Sequence, residues 1–121
     1  MKKRVLLVED ELLIRMWLAD DLADAGFDVL EAEDGDQAML LMDQTGALDL
    51  LITDIQMPGR TDGNLVATRA KQIHPGLPVI YASGRPASLR NIMGPQDAFI
   101  PKPFTGATIL STALRLLQGR R

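Results

Sequence analysis

The sequence predicts an α/β fold, a parallel sheet covered by helices on both faces. Three observations carry that prediction. Five short apolar runs, each of strand length, recur along the 121 residues. Longer amphipathic segments alternate with them, the pattern of crossover helices between parallel strands. Glycines stand at the junctions (Gly26, Gly46, Gly76 and Gly94), with Pro75 and Pro95 beside two of them.

The first run, "RVLLV" over 4–8, reads as a buried strand, and a helix is expected over 11–25. The second, "FDVLEA" over 27–32, alternates polar and apolar residues where the others are continuous, so it belongs at a sheet edge. A helix over 35–44 leads to the third strand, "LDLLIT" over 48–53, and a helix over 64–73 leads to the fourth, "PVIYA" over 78–82. "PASLRNIM" supplies a short helix over 87–93, bounded by Gly94-Pro95, before the last strand "DAFI" over 97–100 and a final helix over 105–118. There is no repeat, low-complexity tract or linker, so the whole of 1–121 is read as one domain with its core at about 4–118.

Composition narrows the function classes. With 46% hydrophobic and 24% charged residues and a net charge of -3, the chain offers no basic face for direct nucleic-acid binding. It has no cysteine, which excludes disulfides, thiolate catalysis and Cys-ligated zinc and fits a reducing compartment. The basic start "MKKR" is followed by an apolar run, Val5 to Val8, too short for a signal peptide. No stretch approaches the ~20 apolar residues of a membrane span. A cytoplasmic protein with no membrane partner is expected.

Ligands of open α/β sheets gather outside the carboxyl ends of the strands. The residues leaving those ends are Glu9 and Asp10, then Asp54, Ser83 and Lys102: three acids, a hydroxyl and an amine. Converging carboxylates repel unless a cation sits among them, and oxygen ligands without His or Cys favour a hard ion. Glu9, Asp10 and Asp54 therefore read as a Mg²⁺ site. The blander readings are that Asp10 caps the helix beginning at Glu11, that Glu9 is a solvated surface charge, that Ser83 is a turn residue and that Lys102 is a surface lysine. As a set, the residues suit phosphoryl transfer to a carboxylate, with Asp54 as nucleophile and Lys102 and Ser83 meeting the phosphoryl oxygens. No GxxxxGK[ST] loop is present to hold a nucleotide donor.

These residues resemble the receiver domain of response regulators in two-component signalling. The likeness rests on the acidic pair in "LLVEDE", on Asp54 in "LLITDIQMPG", on Ser83 closing "PVIYAS" and on Lys102 in "FIPKPF", and it spans essentially the whole chain. The resemblance implies a flavodoxin-like sheet of strand order 2-1-3-4-5. It implies a histidine kinase or histidine phosphotransfer protein as phosphoryl donor to Asp54. It implies further that the Gln56 backbone carbonyl joins the metal, that Ser83 and Phe99 act as a switch, and that the Lys102–Pro103 bond is cis. Such a chain is expected not to be an enzyme toward other molecules; it catalyses only its own phosphorylation and dephosphorylation at Asp54. One departure is that "DIQMPGRTDG" reaches its loop glycine, Gly63, one residue later than is common in the family.

Two other readings remain. A phosphatase of the haloacid-dehalogenase type would carry a second Asp two positions after the nucleophile, where this chain has Gln56. A binding module with a relic pocket would keep the side chains without the chemistry. For the receiver reading, a chain stopping soon after 105–118 is expected to stand alone and act through its own surface on a downstream protein partner. The first helix carries more apolar residues than one core stripe of Ile14, Leu18 and Leu22 requires. Leu13, Ile14 and Trp17, with Pro103 and Phe104, are accordingly expected to form a kinase-docking patch.

Overall fold

The structure, a computed structural model, describes residues 2–56, 62–84 and 93–118. Five strands, β1 (Arg4–Val8), β2 (Asp28–Ala32), β3 (Leu50–Asp54), β4 (Val79–Ser83) and β5 (Ala98–Pro101), form one sheet. All neighbours are parallel and the order is β2-β1-β3-β4-β5. The alternating run thus lies at an edge, where three of its five residues are half-buried, while β3 and β4 at the centre are buried throughout. Among the described residues there are four helices: α1 (Leu12–Asp24), α2 (Gly35–Gln44), α3 (Gly63–Ile73) and α4 (Gly106–Gln118). The short helix expected over 87–93 falls almost wholly outside the described residues.

Two apolar clusters sandwich the sheet, because successive strand side chains point to opposite faces. On one face Leu18 and Leu22 of α1 and Ile109 and Ala113 of α4 pack on Val5, Leu7, Leu50, Ile52 and Ile80. On the other, Ala38 and Met42 of α2 and Val66, Ala67 and Ala70 of α3 cover Leu6, Val8, Leu51, Val79 and Tyr81. No helix among the described residues is long and apolar enough to cross a membrane.

Element boundaries moved where polar side chains intervene. Asp49 accepts the Arg4 N–H at 2.8 Å and returns its own N–H to the Arg4 carbonyl at 2.9 Å, so the third strand starts at Leu50 instead of 48. That strand runs one residue further than expected, and Asp54 is its last rung, paired with Ala82. Ser83 likewise closes β4, opposite Pro101. Helices α2 and α3 are capped by Asp34, which accepts from Gln37 N at 2.8 Å, and by Asp62, which accepts from Leu65 N at 3.0 Å. At the opposite end of the strands from Asp54, the buried Asp97 carboxylate ties three elements together. It accepts from Val79 N at 3.1 Å, from Lys71 Nζ at 2.8 Å and from Gly94 N at 2.6 Å.

Candidate functional site

At the carboxyl ends of β1 and β3, Glu9, Asp10 and Asp54 each turn a carboxylate oxygen to one spot, the three oxygens lying within 4.8 Å of one another. Glu9 and Asp54 are only 2% and 5% exposed, which removes the solvated-charge reading of Glu9, while Asp10 faces solvent. Asp10 does not cap the first helix: the N-cap is Glu11, and no side chain caps it. The strand order explains the convergence, since β1 and β3 are direct neighbours with Val8 beside Thr53.

Lys102 follows β5 at the far edge of the sheet, and its chain returns toward β3 through the bond from Lys102 N to the Ser83 carbonyl at 3.1 Å. The Lys102–Pro103 bond is cis. The ammonium bridges two acids, 2.7 Å from Asp54 Oδ2 and 3.2 Å from Glu9 Oε1. The remaining oxygens accept from the main chain: Asp54 Oδ1 from Gln56 N at 3.1 Å and Glu9 Oε2 from Glu11 N at 3.0 Å. Gln56 therefore stands at the pocket with its main-chain N–H turned to Asp54.

The electrostatics of the pocket show which group its donors fit. Burial pushes the Glu9 and Asp54 carboxyls above their ordinary values, and the ammonium of Lys102 and main-chain N–H groups only partly reverse this. Lys102 is drawn downward by burial, but its bond to Asp54 and the charges of Glu9 and Asp54 outweigh that and hold it above its usual value. Three carboxylates facing one ammonium leave two negative charges in excess. A divalent, oxygen-seeking cation is the group this donor set fits, and Mg²⁺ suits few carboxylates open to solvent on one side, as here at Asp10.

Ser83 is buried at the same rim. Phe99 pairs with Tyr81 one step down the ladder, and both pack on the α2–α3 side of the sheet. By strand alternation Ser83 projects to that side as well, so Ser83 and Phe99 are diagonal neighbours across Tyr81. The expected docking residues also come together, apart from one. Ile14, Trp17, Pro103 and Phe104, with Glu11 and Lys102, line a groove of about 320 Å³ that opens beside the acid pocket. Trp17 and Phe104 meet edge-on, with centroids 6.1 Å apart and planes at 60°. Leu13 stands outside the groove and is 76% exposed.

Sequence reasoning missed Arg15 and the closeness of Gly63. Arg15 Nη1 donates to the Glu9 carbonyl at 2.9 Å, and Nε lies 3.5 Å from Glu31 Oε1 on β2. One signal was available, since Arg15 is the single charged residue between Glu11 and Asp20. Gly63 approaches the main chain of Asp54 so tightly that a Cβ there would collide with the Asp54 carbonyl oxygen and lie 2.8 Å from Ile55 Cα.

Known proteins resemble this chain in sequence and fold. Residues 5–114 match the response regulator receiver domain family. The chain is 35% identical over 120 residues to the sensor kinase CckA of Brucella abortus, covering 94% of this chain and 12% of that one. It is 32% identical over 118 residues to the transcriptional regulatory protein CpxR of Klebsiella pneumoniae, covering 95% and 49% respectively. This chain thus spans about half of the one relative and about an eighth of the other. A response regulator receiver protein from Sinorhizobium medicae superposes with a TM-score of 0.92 at 29% identity, over 99% of this chain and 98% of that one. A match over nearly all of the sheet, with a strand order of 2-1-3-4-5 and the acids at its strand ends, places the chain in the response regulator receiver domain family.

Proposed function

We propose that this chain accepts a phosphoryl group on Asp54 from a phosphorylated histidine of a kinase or phosphotransfer protein, in a Mg²⁺-dependent reaction. The observation that carries the reading is the Lys102 ammonium, placed 2.7 Å from Asp54 within a cluster of acids left two charges short of balance. An oxygen of the Asp54 carboxylate attacks phosphorus as the P–N bond to the donor breaks, and the donor leaves as a neutral imidazole when its other ring nitrogen carries a proton. Glu9, Asp10, Asp54 and the Gln56 carbonyl would hold the Mg²⁺, which when bound supplies charge neutralisation at the phosphoryl oxygens. Lys102 holds Asp54 in place beforehand and pairs with the phosphoryl group afterwards. Ser83 offers its hydroxyl to a phosphoryl oxygen. The same residues serve dephosphorylation, in which water attacks phosphorus, the P–O bond to Asp54 breaks and inorganic phosphate leaves with Asp54 restored as a carboxylate, so the chain is catalytic toward itself alone.

Incubation with acetyl phosphate or phosphoramidate and Mg²⁺ is expected to add one phosphoryl group by mass, and none to Asp54→Asn or after chelation. Equal labelling of Asp54→Asn would sink the assignment. The groove beside the pocket, together with the exposed Leu13 of α1 outside it, is proposed as the docking face for the kinase. Leu13→Asp is expected to slow transfer from a phosphorylated kinase domain about tenfold or more, as loss of an interface anchor does, and to leave acetyl phosphate labelling intact. Equal slowing of both routes would place the damage in the pocket instead.

For output, the diagonal placement of Ser83 and Phe99 on neighbouring strands supports a switch in which an inward Ser83 hydroxyl vacates space that Phe99 fills. With beryllofluoride as a phosphoryl mimic, amide exchange should change most in residues 83–105; changes confined to 54–63 would exclude the coupling. We infer that the domain works in the cytoplasm and acts on a downstream protein partner, without direct contact to nucleic acid. A net charge of -3 and the absence of cysteine support that reading. Recovery of the native protein in the soluble cell fraction, with no retardation of a DNA probe, checks it.

A further inference from the structure

We propose that Arg15 is the positioning residue of the acid pair, fixing the peptide plane between Glu9 and Asp10 so that both carboxylates face the cation. The inference rests on the reading of Glu9, Asp10 and Asp54 as a Mg²⁺ site. Glu9 leaves β1 with its N–H bonded to the Ala32 carbonyl at 3.1 Å and its carboxylate held by Lys102 and by Glu11 N. Those contacts set the Glu9 side chain. The peptide that follows is a separate matter, because its rotation swings the exposed Asp10 carboxylate toward or away from the cluster. Arg15 Nη1 holds the carbonyl of that peptide at 2.9 Å.

The way the guanidinium is placed matters. Its side chain is 13% exposed and braced on the other side by Glu31 Oε1, 3.5 Å from Nε, so it spans from α1 to β2. A planar fork with donors in two directions can serve a carbonyl and a carboxylate at once, which an ammonium on a flexible stem does poorly. Arg15 also brings a positive charge beside the acids through the main-chain carbonyl of Glu9, leaving the carboxylate lone pairs to the metal. Groups that orient metal ligands from outside the coordination sphere commonly govern affinity by tenfold or more.

The test is calorimetric titration of MgCl₂ into the wild-type chain, Arg15→Gln, Arg15→Lys and Glu31→Gln, with the melting temperature of each measured without metal. Wild type must first bind Mg²⁺; if it does not, the metal reading fails, and this inference with it. Given wild-type binding, Arg15→Gln and Arg15→Lys are both expected to weaken Mg²⁺ affinity about tenfold. Glu31→Gln, which frees one side of the fork, is expected to weaken it by about threefold, the effect of an exposed pair. Arg15→Gln with affinity within about twofold of wild type but a lowered melting temperature would show a purely structural role and overturn the proposal. So would wild-type affinity in Arg15→Lys. If Arg15→Gln does not fold, Glu31→Gln and Arg15→Lys decide, and unchanged affinity in both overturns it.

Discussion

Gly63→Ala is expected to destabilise the chain by about 2–3 kcal/mol, the upper part of the ~1–3 kcal/mol range seen when a methyl group is forced into a closed space. The new Cβ would collide with the carbonyl oxygen of Asp54 and lie 3.0 Å from its carbon. Neither side can yield cheaply. Asp54 is the last rung of the central strand, paired with Ala82, and Ile55 continues that pairing through its N–H to the Ala82 carbonyl at 3.1 Å. Gly63 is itself anchored by its N–H to the Ile55 carbonyl at 3.1 Å and opens α3, whose Val66, Ala67 and Ala70 are buried. What gives way is the backbone that carries the Asp54 carboxylate, so labelling by acetyl phosphate should slow along with the loss of stability. Urea unfolding and a labelling time course on the same preparation check both. A midpoint equal to wild type would show that α3 shifts freely and that the contact is not a constraint.

Asp97→Ala is expected to cost about 3 kcal/mol while leaving Mg²⁺ binding unchanged, because it breaks a buried network at the end of the sheet remote from the acids. The Asp97 side chain is fully shielded, and it satisfies the amides of Val79 and Gly94 as well as the Lys71 ammonium. Truncation strands the buried Val79 N–H at the first rung of β4. The cost sits at the lower end of the range for a broken buried pair, since Lys71 is 24% exposed and reaches the Leu77 carbonyl at 3.3 Å. Asp97→Asn, which keeps the shape and one acceptor, should fall between. Denaturant midpoints for the three chains, beside Mg²⁺ titrations, separate this prediction from any damage to the pocket: a weakened Mg²⁺ affinity in Asp97→Ala would contradict the independence of the two ends.

The order of elements, the parallel sheet, the edge position of β2 and the gathering of acids at strand ends were legible in the residues alone. Each follows from a property written within a short window. Continuous apolar runs mark strands buried on both faces, alternation marks an edge, and glycine with proline marks the stops. The structure adds that Asp34 and Asp62 cap α2 and α3, each carboxylate accepting from an amide three residues on. The identity of the pocket side chains was legible too, since residue type decides which can ligate a cation.

Tertiary structure alone decided how those side chains are held. Lys102 and Asp54 are 48 residues apart and meet only because β1, β3, β4 and β5 stack in one register. Arg15 meets the carbonyl of Glu9, Gly63 presses on the carbonyl of Asp54, and Lys71 reaches the carbonyl of Leu77. In each the partner is a main-chain atom, which every residue possesses, so no pattern of residue types betrays the contact. Such contacts exist only once strand register and helix packing have set the distances.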